Sequence, residues 1–310
     1  MKRTCSLLLL ICLSALPAAA AALGTAPRNV IPAEVQQIIS VDYRKLGASP
    51  SAQALKARAL PSHLKQFEVA LRAAGIDADR DLEQLTFASF RTKDGLRILG
   101  IASGQFPAQK FQQRMKAKKV LAQKYRSTSL YPMGESVRMA FLDDYTFVFG
   151  DLKAIQAALD TRDGEGRSLN ANTEFTSLMT GVEDGSLWSV LDQAGTHNML
   201  RSSLGEASKL TDFEGIRKRL RASRYSMDFD NGVDFDLDVM TADNISAATL
   251  SSVIQAGVLY RKLKADETEK LFLDNLDVNS DSDRVRMRFK TDEKKFQSLL
   301  QSDLFAAAVR

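Results

Sequence analysis

The residues best placed to do chemistry in this chain form a row of aspartates in its second half. The row consists of Asp228, Asp230, Asp234, Asp236 and Asp238, with apolar residues alternating between them. Because neighbouring strand residues face opposite sides of a sheet, this alternation predicts a β-hairpin with its carboxylates on one face. Carboxylate oxygens are the ligands that Ca²⁺ prefers, so calcium binding is one interpretation of the row.

The turn of this hairpin determines whether the carboxylates share a face. Asn231-Gly232 is typical of a two-residue loop, but that loop would pair Asp230 with Val233 and mix the faces. A three-residue loop, 231–233, pairs Asp230 with Asp234 and keeps the carboxylates together. We therefore predict a loop with an odd number of residues.

An arginine row offers a second interpretation of the aspartates. Arg284, Arg286 and Arg288 alternate with apolar residues in a later predicted strand. If this strand lies beside the aspartates, the two rows neutralise each other without a metal ion, and we favour this arrangement over calcium. Residues 277–283 resemble the start of an EF-hand loop, but Ser282 stands where that loop needs glycine, so we predict a turn between strands.

Motifs for catalysis are not found in the sequence. The chain has two histidines, His63 and His197, and no Gly-x-Ser-x-Gly elbow or phosphate-binding glycine loop. We assign no catalytic residue, no cofactor-binding residue and no cofactor. Asp77 and Asp81 are interpreted as caps of a turn, since aspartate favours such positions.

A basic cluster is the remaining candidate for binding. It consists of Arg217, Lys218, Arg219, Arg221 and Arg224. A cluster of this kind can bind a polyanion or form an ordinary solvated surface. No aromatic residues alternate with it, as stacking on bases would require, so we expect no nucleic-acid partner.

The first 22 residues predict export. Lys2 and Arg3 precede an apolar run at 7–13, and small residues at 18–22 fit a cleavage site. This order is typical of a signal peptide, and the apolar run is too short to span a membrane.

Cysteine usage narrows the expected compartment. Cys5 and Cys12 both lie within the predicted signal peptide, so the mature chain would have no disulfide. Since secreted eukaryotic domains usually rely on disulfides, we expect a bacterial protein that is periplasmic or secreted. We also expect it to be soluble, without a transmembrane helix after the signal peptide.

The order of predicted elements divides the chain into two similar units. Both 23–160 and 175–310 read as a strand, helices, a hairpin, a helix, further strands and a closing helix, joined by a polar linker at 161–174. The fold class predicted is α+β, with each unit an antiparallel sheet that has helices packed on one face. Within the second unit we predict a helix over 212–222, a strand over 271–278, and Trp188 in the core of that unit.

Two stretches of the first unit resemble a known group. Residues 75–88 with 104–106, and residues 140–150, are similar to uncharacterised exported bacterial proteins built from tandem α+β repeats. The resemblance covers about residues 38–160. It implies the fold and the export, but no activity.

The sequence thus predicts an exported envelope protein that binds or scaffolds an unidentified partner or ligand without catalysis. One alternative is a hydrolase whose Asp, Ser, Lys or His site is assembled by folding. Another is a binder of polyanions or membrane surfaces.

Overall fold

The structure is a computed structural model that describes residues 22–59, 62–134, 136–204, 213–263 and 265–301. The predicted signal peptide lies outside the described residues, apart from its last residue.

Within the described residues, twelve strands form one continuous sheet, and every pairing is antiparallel. The strands in chain order are β1 (Val35–Asp42), β2 (Leu82–Thr92), β3 (Gly95–Gly104), β4 (Gln123–Tyr125), β5 (Thr128–Pro132), β6 (Arg138–Phe141), β7 (Thr146–Gly150), β8 (Leu187–Leu191), β9 (Leu220–Asp228), β10 (Val233–Thr241), β11 (Leu276–Asp281) and β12 (Arg284–Thr291). Their order across the sheet is β11-β12-β10-β9-β8-β1-β2-β3-β7-β6-β5-β4.

Thirteen α-helices and one 3₁₀ helix are described around this sheet. The α-helices are α1 (Thr25–Val30), α2 (Tyr43–Ala48), α3 (Pro50–Ala59), α4 (Ser62–Ala74), α5 (Ala78–Asp81), α6 (Ala108–Ala117), α7 (Leu152–Arg162), α8 (Thr173–Met179), α9 (Gln193–Leu204), α10 (Phe213–Arg217), α11 (Asn244–Lys262), α12 (Glu267–Asp274) and α13 (Glu293–Leu300). The 3₁₀ helix spans Leu169–Ala171. The predicted α+β fold class is confirmed.

The sheet has two faces, which we call front and back. The front face carries Ile39 of β1 and Phe87 of β2, which lie opposite each other in register. Helices α4 and α6 pack on this face in the first half, and α11 and α13 pack on it in the second. The back face carries Ile38 and Phe90, and α1, α7 and α8 cover it. The first half therefore has helices on both faces.

The two halves meet at the antiparallel pair β1–β8. Here Val41 lies opposite Leu187, and Ser40 lies opposite Trp188. Trp188 is 1% exposed and packs on the back face in one cluster with Ile38 of β1. The core that contains Trp188 therefore includes residues from both halves. This corrects the prediction that Trp188 belongs to the core of the second unit alone.

Two predicted elements of the second half are wrong. In place of a helix over 212–222, α10 ends at Arg217 and strand β9 begins at Leu220, because pairing with β10 overrides the local helical propensity. In place of a strand over 271–278, helix α12 runs to Asp274. Asp266 caps this helix by accepting a hydrogen bond from the Glu269 backbone N–H at 2.8 Å.

Smaller sequence features lie mostly as predicted. Asp77 caps α5, and Asp81 accepts a hydrogen bond from the Asp77 N–H at 2.9 Å. The predicted turn over 277–283 is shorter than expected, because 277–281 pair with β12 as part of β11 and only 282 and 283 form the turn, with Ser282 at φ 53°. Leu169, within the predicted linker, is fully buried in the back-face core.

Candidate ligand-binding site

An apolar cavity of about 310 Å³ lies on the front face of the first half. Strands β1, β2, β3 and β7 form its floor, and α2, α3, α4 and α5 enclose it. Aliphatic and aromatic side chains line most of it, among them Ile39, Leu55, Leu71, Phe87 and Phe149. Ile39 and Phe87 are only half-buried although their strands are central in the sheet. The cavity is therefore a place where the helices do not fully cover the sheet.

Small residues on β3 produce part of this space. A Cβ at Gly100 would lie 2.2 Å from Cζ of Phe149, so the Phe149 ring lies over the bare backbone of β3. The same ring meets Phe87 edge-on, with ring centroids 5.9 Å apart. Ala102 follows on the same face of β3 and also lines the cavity, although it is only 1% exposed.

Three polar side chains lie at the mouth of the cavity, and we call them the mouth trio: Tyr43, Lys56 and Glu68. Lys56 Nζ lies 2.8 Å from Glu68 Oε1, and the Tyr43 hydroxyl donates to the same oxygen at 2.5 Å. Lys56 also donates to the Tyr43 hydroxyl and lies over its ring. Burial, with the hydrogen bond to Glu68, raises the pKa of Tyr43 far above its usual range. The phenol therefore stays protonated and acts as a donor.

Contacts with the second half hold one wall of the cavity. Ala52 of α3 lines the cavity and also packs in a cluster with Phe229 and Phe296. The hydroxyl of Ser49 donates to the Phe229 carbonyl at 3.1 Å. The position of α3 is thus fixed by residues from both halves of the chain.

The aspartate and arginine rows lie beside each other on the back face, as their alternation predicts. Asp238 is paired with Arg286 at 2.8 Å and with Arg224 at 3.2 Å. Further along the ladder the pairs are Asp236–Arg288 at 2.9 Å and Asp234–Lys290 at 2.8 Å. Three of the five aspartates therefore have basic partners from strand β12.

Burial opposes ionisation of Asp238, but the arginines outweigh it. Desolvation alone would raise the pKa of this carboxyl. Hydrogen bonding and charge from Arg286, with the charge of Arg284 and a hydrogen bond from Arg224, bring the pKa below its usual value.

An odd number of residues separates the paired aspartates of the hairpin, as predicted, but the predicted length of three is wrong. Asp234 lies opposite Asp228, so five residues, 229–233, separate the paired aspartates. Phe229 and Val233 are buried in the core around α13, which draws both into the front-face packing. Their burial explains the wider loop, and Asn231 and Gly232 form its tip with positive φ.

The other two aspartates differ in their surroundings. Asp228 accepts hydrogen bonds from the Ser186 N–H and hydroxyl, both at 2.8 Å. Asp230 is exposed in the loop. In the part of the chain that the structure describes, no three His, Cys, Asp or Glu side chains come together as a metal site. Calcium binding by this row stays a prediction.

The residues of the basic cluster do not share one environment. Arg219 pairs with Asp243 at 3.2 Å, and Arg224 is paired with Asp238 on the sheet. Arg217, Lys218 and Arg221 are exposed. Polyanion binding by the whole cluster would therefore compete with two existing ion pairs.

A second depression, of about 790 Å³, opens beside the ends of β1, β2 and β8. Its lining mixes apolar residues with charged ones, including Arg91, Asp192 and Arg221. Asp192 accepts a hydrogen bond from the Gly195 N–H at 2.7 Å, and burial raises its pKa. This carboxylate therefore already caps the N-terminus of α9.

The cavity residues were not among the candidates from the sequence. The signal available was the alternation of Ile39 and Val41 in β1, which predicts only a strand with one apolar face. Of the two histidines, His197 lies in α9, and the side chain of His63 is outside the described residues.

Comparison with known proteins gives similarity in fold alone. No protein-family model matches the chain, and no curated protein sequence matches it. Among solved structures, crystal form I of TP0453, a Treponema protein, aligns with a TM-score of 0.52 at 10% identity. The chain resembles TP0453 in fold. The alignment covers 90% of this chain and 97% of TP0453. Crystal form III gives the same TM-score and identity, with 88% and 96% covered. The shared architecture therefore extends through both halves of the chain.

Of the helices in the described part of the chain, none combines the length and hydrophobicity needed to span a bilayer.

Proposed function

We propose that this protein is a non-catalytic binding protein that holds one apolar chain in the front-face cavity. The observation that carries the proposal is the lining: hydrocarbon side chains enclose the space, with polar groups only at its mouth among the described residues. Ligand sites are typically concave, mostly apolar and equipped with a few polar groups. Transfer of hydrocarbon from water into an apolar cavity of this kind is favourable.

The volume limits the size of the ligand. At about 30 Å³ per water-sized unit, 310 Å³ holds about ten non-hydrogen atoms. One unbranched chain of about ten carbons fits this space, whereas the two chains of a membrane lipid would exceed it.

The site of action that we propose is the bacterial envelope, in the periplasm or outside the cell. The predicted signal peptide supports it, and the fold similarity to a bacterial protein is consistent with it.

We further propose two units, 23–160 and 175–310, joined by 161–174. The strand order supports this division, since β1-β2-β3-β7-β6 on one side of the sheet corresponds to β8-β9-β10-β12-β11 on the other.

The alternatives have less support. A hydrolase site would place a nucleophile next to a base, but no serine is among the described residues that line the cavity. A surface for polyanions would need the basic cluster to present its charges together, but Arg219 and Arg224 are paired with aspartates.

A chain-length series tests the proposal. The purified protein is loaded with the neutral fluorescent probe 1-naphthylamine, which has eleven non-hydrogen atoms, and the probe is then displaced by primary alcohols of six to fourteen carbons. Burial of each methylene contributes about 0.8 kcal/mol, so affinity should rise about fourfold per carbon. The rise should stop near ten carbons, when the cavity is full. Absence of binding, or affinity that keeps rising to fourteen carbons, would contradict a binding cavity of this volume.

A further inference from the structure

The mouth trio contains one cation and one carboxylate that neutralise each other. Lys56 and Glu68 are in direct contact at 2.8 Å, with side chains 25% and 31% exposed. The Tyr43 phenol adds a donor but no charge, because its raised pKa keeps it protonated. These are the ionisable side chains among the described residues that line the cavity. Arg72 and Asp79, whose charges also reach Tyr43, lie 4.0 Å apart and offset each other, so among the described residues the polar end of a ligand would meet no net charge.

A charged head group would be mismatched at this mouth. A carboxylate would approach Lys56 but would also lie against the Glu68 carboxylate, and an ammonium group would lie against the Lys56 ammonium. In partly buried surroundings like charges repel strongly, and a site can exclude the wrong ligand in this way. An uncharged group that both donates and accepts can join the network. Its hydroxyl or amide N–H would donate a hydrogen bond to a Glu68 oxygen, and its own oxygen would accept one from the Lys56 ammonium.

We propose that the cavity selects single-chain amphiphiles whose head group is uncharged and forms hydrogen bonds, the class of long-chain primary alcohols and primary amides. This inference rests on the proposed binding of one apolar chain. It adds that Lys56 and Glu68 determine which head group is accepted.

Three ligands with the same ten-carbon chain test the selection at pH 8. They are decan-1-ol, decanoate and decylammonium, and each is measured by displacement of 1-naphthylamine. We expect decan-1-ol to bind at least tenfold more tightly than either charged ligand. A wild-type protein that prefers decanoate or decylammonium, or binds all three equally, would overturn the inference.

Two variants should switch the head-group preference of the cavity. Glu68→Gln leaves Lys56 without its counter-charge, so decanoate should become the preferred ligand. Lys56→Met leaves Glu68 unpaired, so decylammonium should become preferred. Glu83→Gln is the matched control, because it makes the same substitution in the exposed Arg44–Glu83 ion pair, which does not line the cavity, and the alcohol should stay preferred. Circular dichroism confirms that each variant is folded.

The outcomes distinguish a failure of the head-group selection from a failure of the proposed function. If the probe binds and the charge variants change all three affinities equally, the head-group selection is wrong while the cavity remains a binding site. If neither the probe nor any ten-carbon ligand binds the wild type, the proposed function fails and the inference with it.

Discussion

Lys56 Nζ lies 2.8 Å from Glu68 Oε1, and this ion pair joins α3 to α4 across the mouth of the apolar cavity. The two helices otherwise pack against different helices: α3 packs on α13 of the second half, and α4 packs on α6 of the first. The pair therefore links the side of the cavity held by the second half to the side held by the first.

A larger side chain in the lining of the cavity should weaken binding. Ala102→Leu adds three carbons to a side chain that lines the cavity and is 1% exposed. We expect at least a tenfold loss of affinity for the ten-carbon alcohol in the displacement titration, and a fall of about 1–3 kcal/mol in the free energy of unfolding because the position is closely packed.

The control for this variant is Ala88→Leu. Ala88 is fully buried on the back face of the adjacent strand β2, where the core is already packed. Overpacking there should lower the free energy of unfolding by about 1–3 kcal/mol. Affinity should stay near the wild-type value, and a shared loss of affinity in both variants would indicate a general effect on the sheet.

Gly100→Ala should narrow the cavity indirectly. The new Cβ would lie 2.2 Å from the Phe149 ring, which must move away from the strand and into the ligand space. We expect a weaker affinity for the alcohol and a shorter optimal chain in the length series. Gly47→Ala in α2 is the matched substitution, since a Cβ at Gly47 meets no atom within 4 Å, and it should leave the length series unchanged.

The charged rows should contribute unequally to stability. Asp238 is 11% exposed and serves three arginines, whereas Asp234 and Lys290 are 48% and 81% exposed. Removing one buried carboxylate leaves its partners uncompensated, so Asp238→Asn should lower the free energy of unfolding by about 2–3 kcal/mol. Asp234→Asn should have little effect in the same urea titration, because exposed ion pairs contribute little.

The effect of Asp238→Asn should also depend on pH. The folded-state pKa of Asp238 lies below the ordinary value of 3.8, so its contribution is complete above that value and is lost as pH falls through the lower folded pKa. The difference in unfolding free energy between wild type and Asp238→Asn should therefore shrink below about pH 4. A difference that grows on acidification would contradict the ion-pair assignment.

Trp188 gives a reporter for the back-face core. Its side chain is 1% exposed and points away from the cavity, which is lined instead by its neighbour Leu187. We expect iodide not to quench its fluorescence in the folded protein. Filling the cavity with ligand should leave the emission maximum unchanged, whereas unfolding should shift it to longer wavelength. Strong quenching in the native state would contradict its burial.

The sequence predicts best where a pattern is local. The alternation of aspartates and arginines was enough to place the two rows side by side, because period-two alternation and opposite charge both favour that pairing. The register was less predictable. The shift that places Asp228 opposite Asp234 depends on burial of Phe229 and Val233 against α13, more than 60 residues away in the chain.

The cavity could not be predicted in this way. Its walls come from strands and helices spread between β1 and β8, and its space depends on which small residues, such as Ala102, meet which helices. The mouth trio brings together three residues from α2, α3 and α4, and in the sequence they look like ordinary surface positions.

The most direct test of the central claim is to locate the bound chain by NMR. Isoleucine methyl groups are labelled in the protein, and cross-relaxation with unlabelled decan-1-ol is recorded. Ile39 lines the cavity and its neighbour Ile38 lies on the back face. The account predicts cross-peaks from the alcohol to Ile39 and none to Ile38. Cross-peaks that avoid Ile39 and appear only at exposed residues such as Ile245 would contradict it.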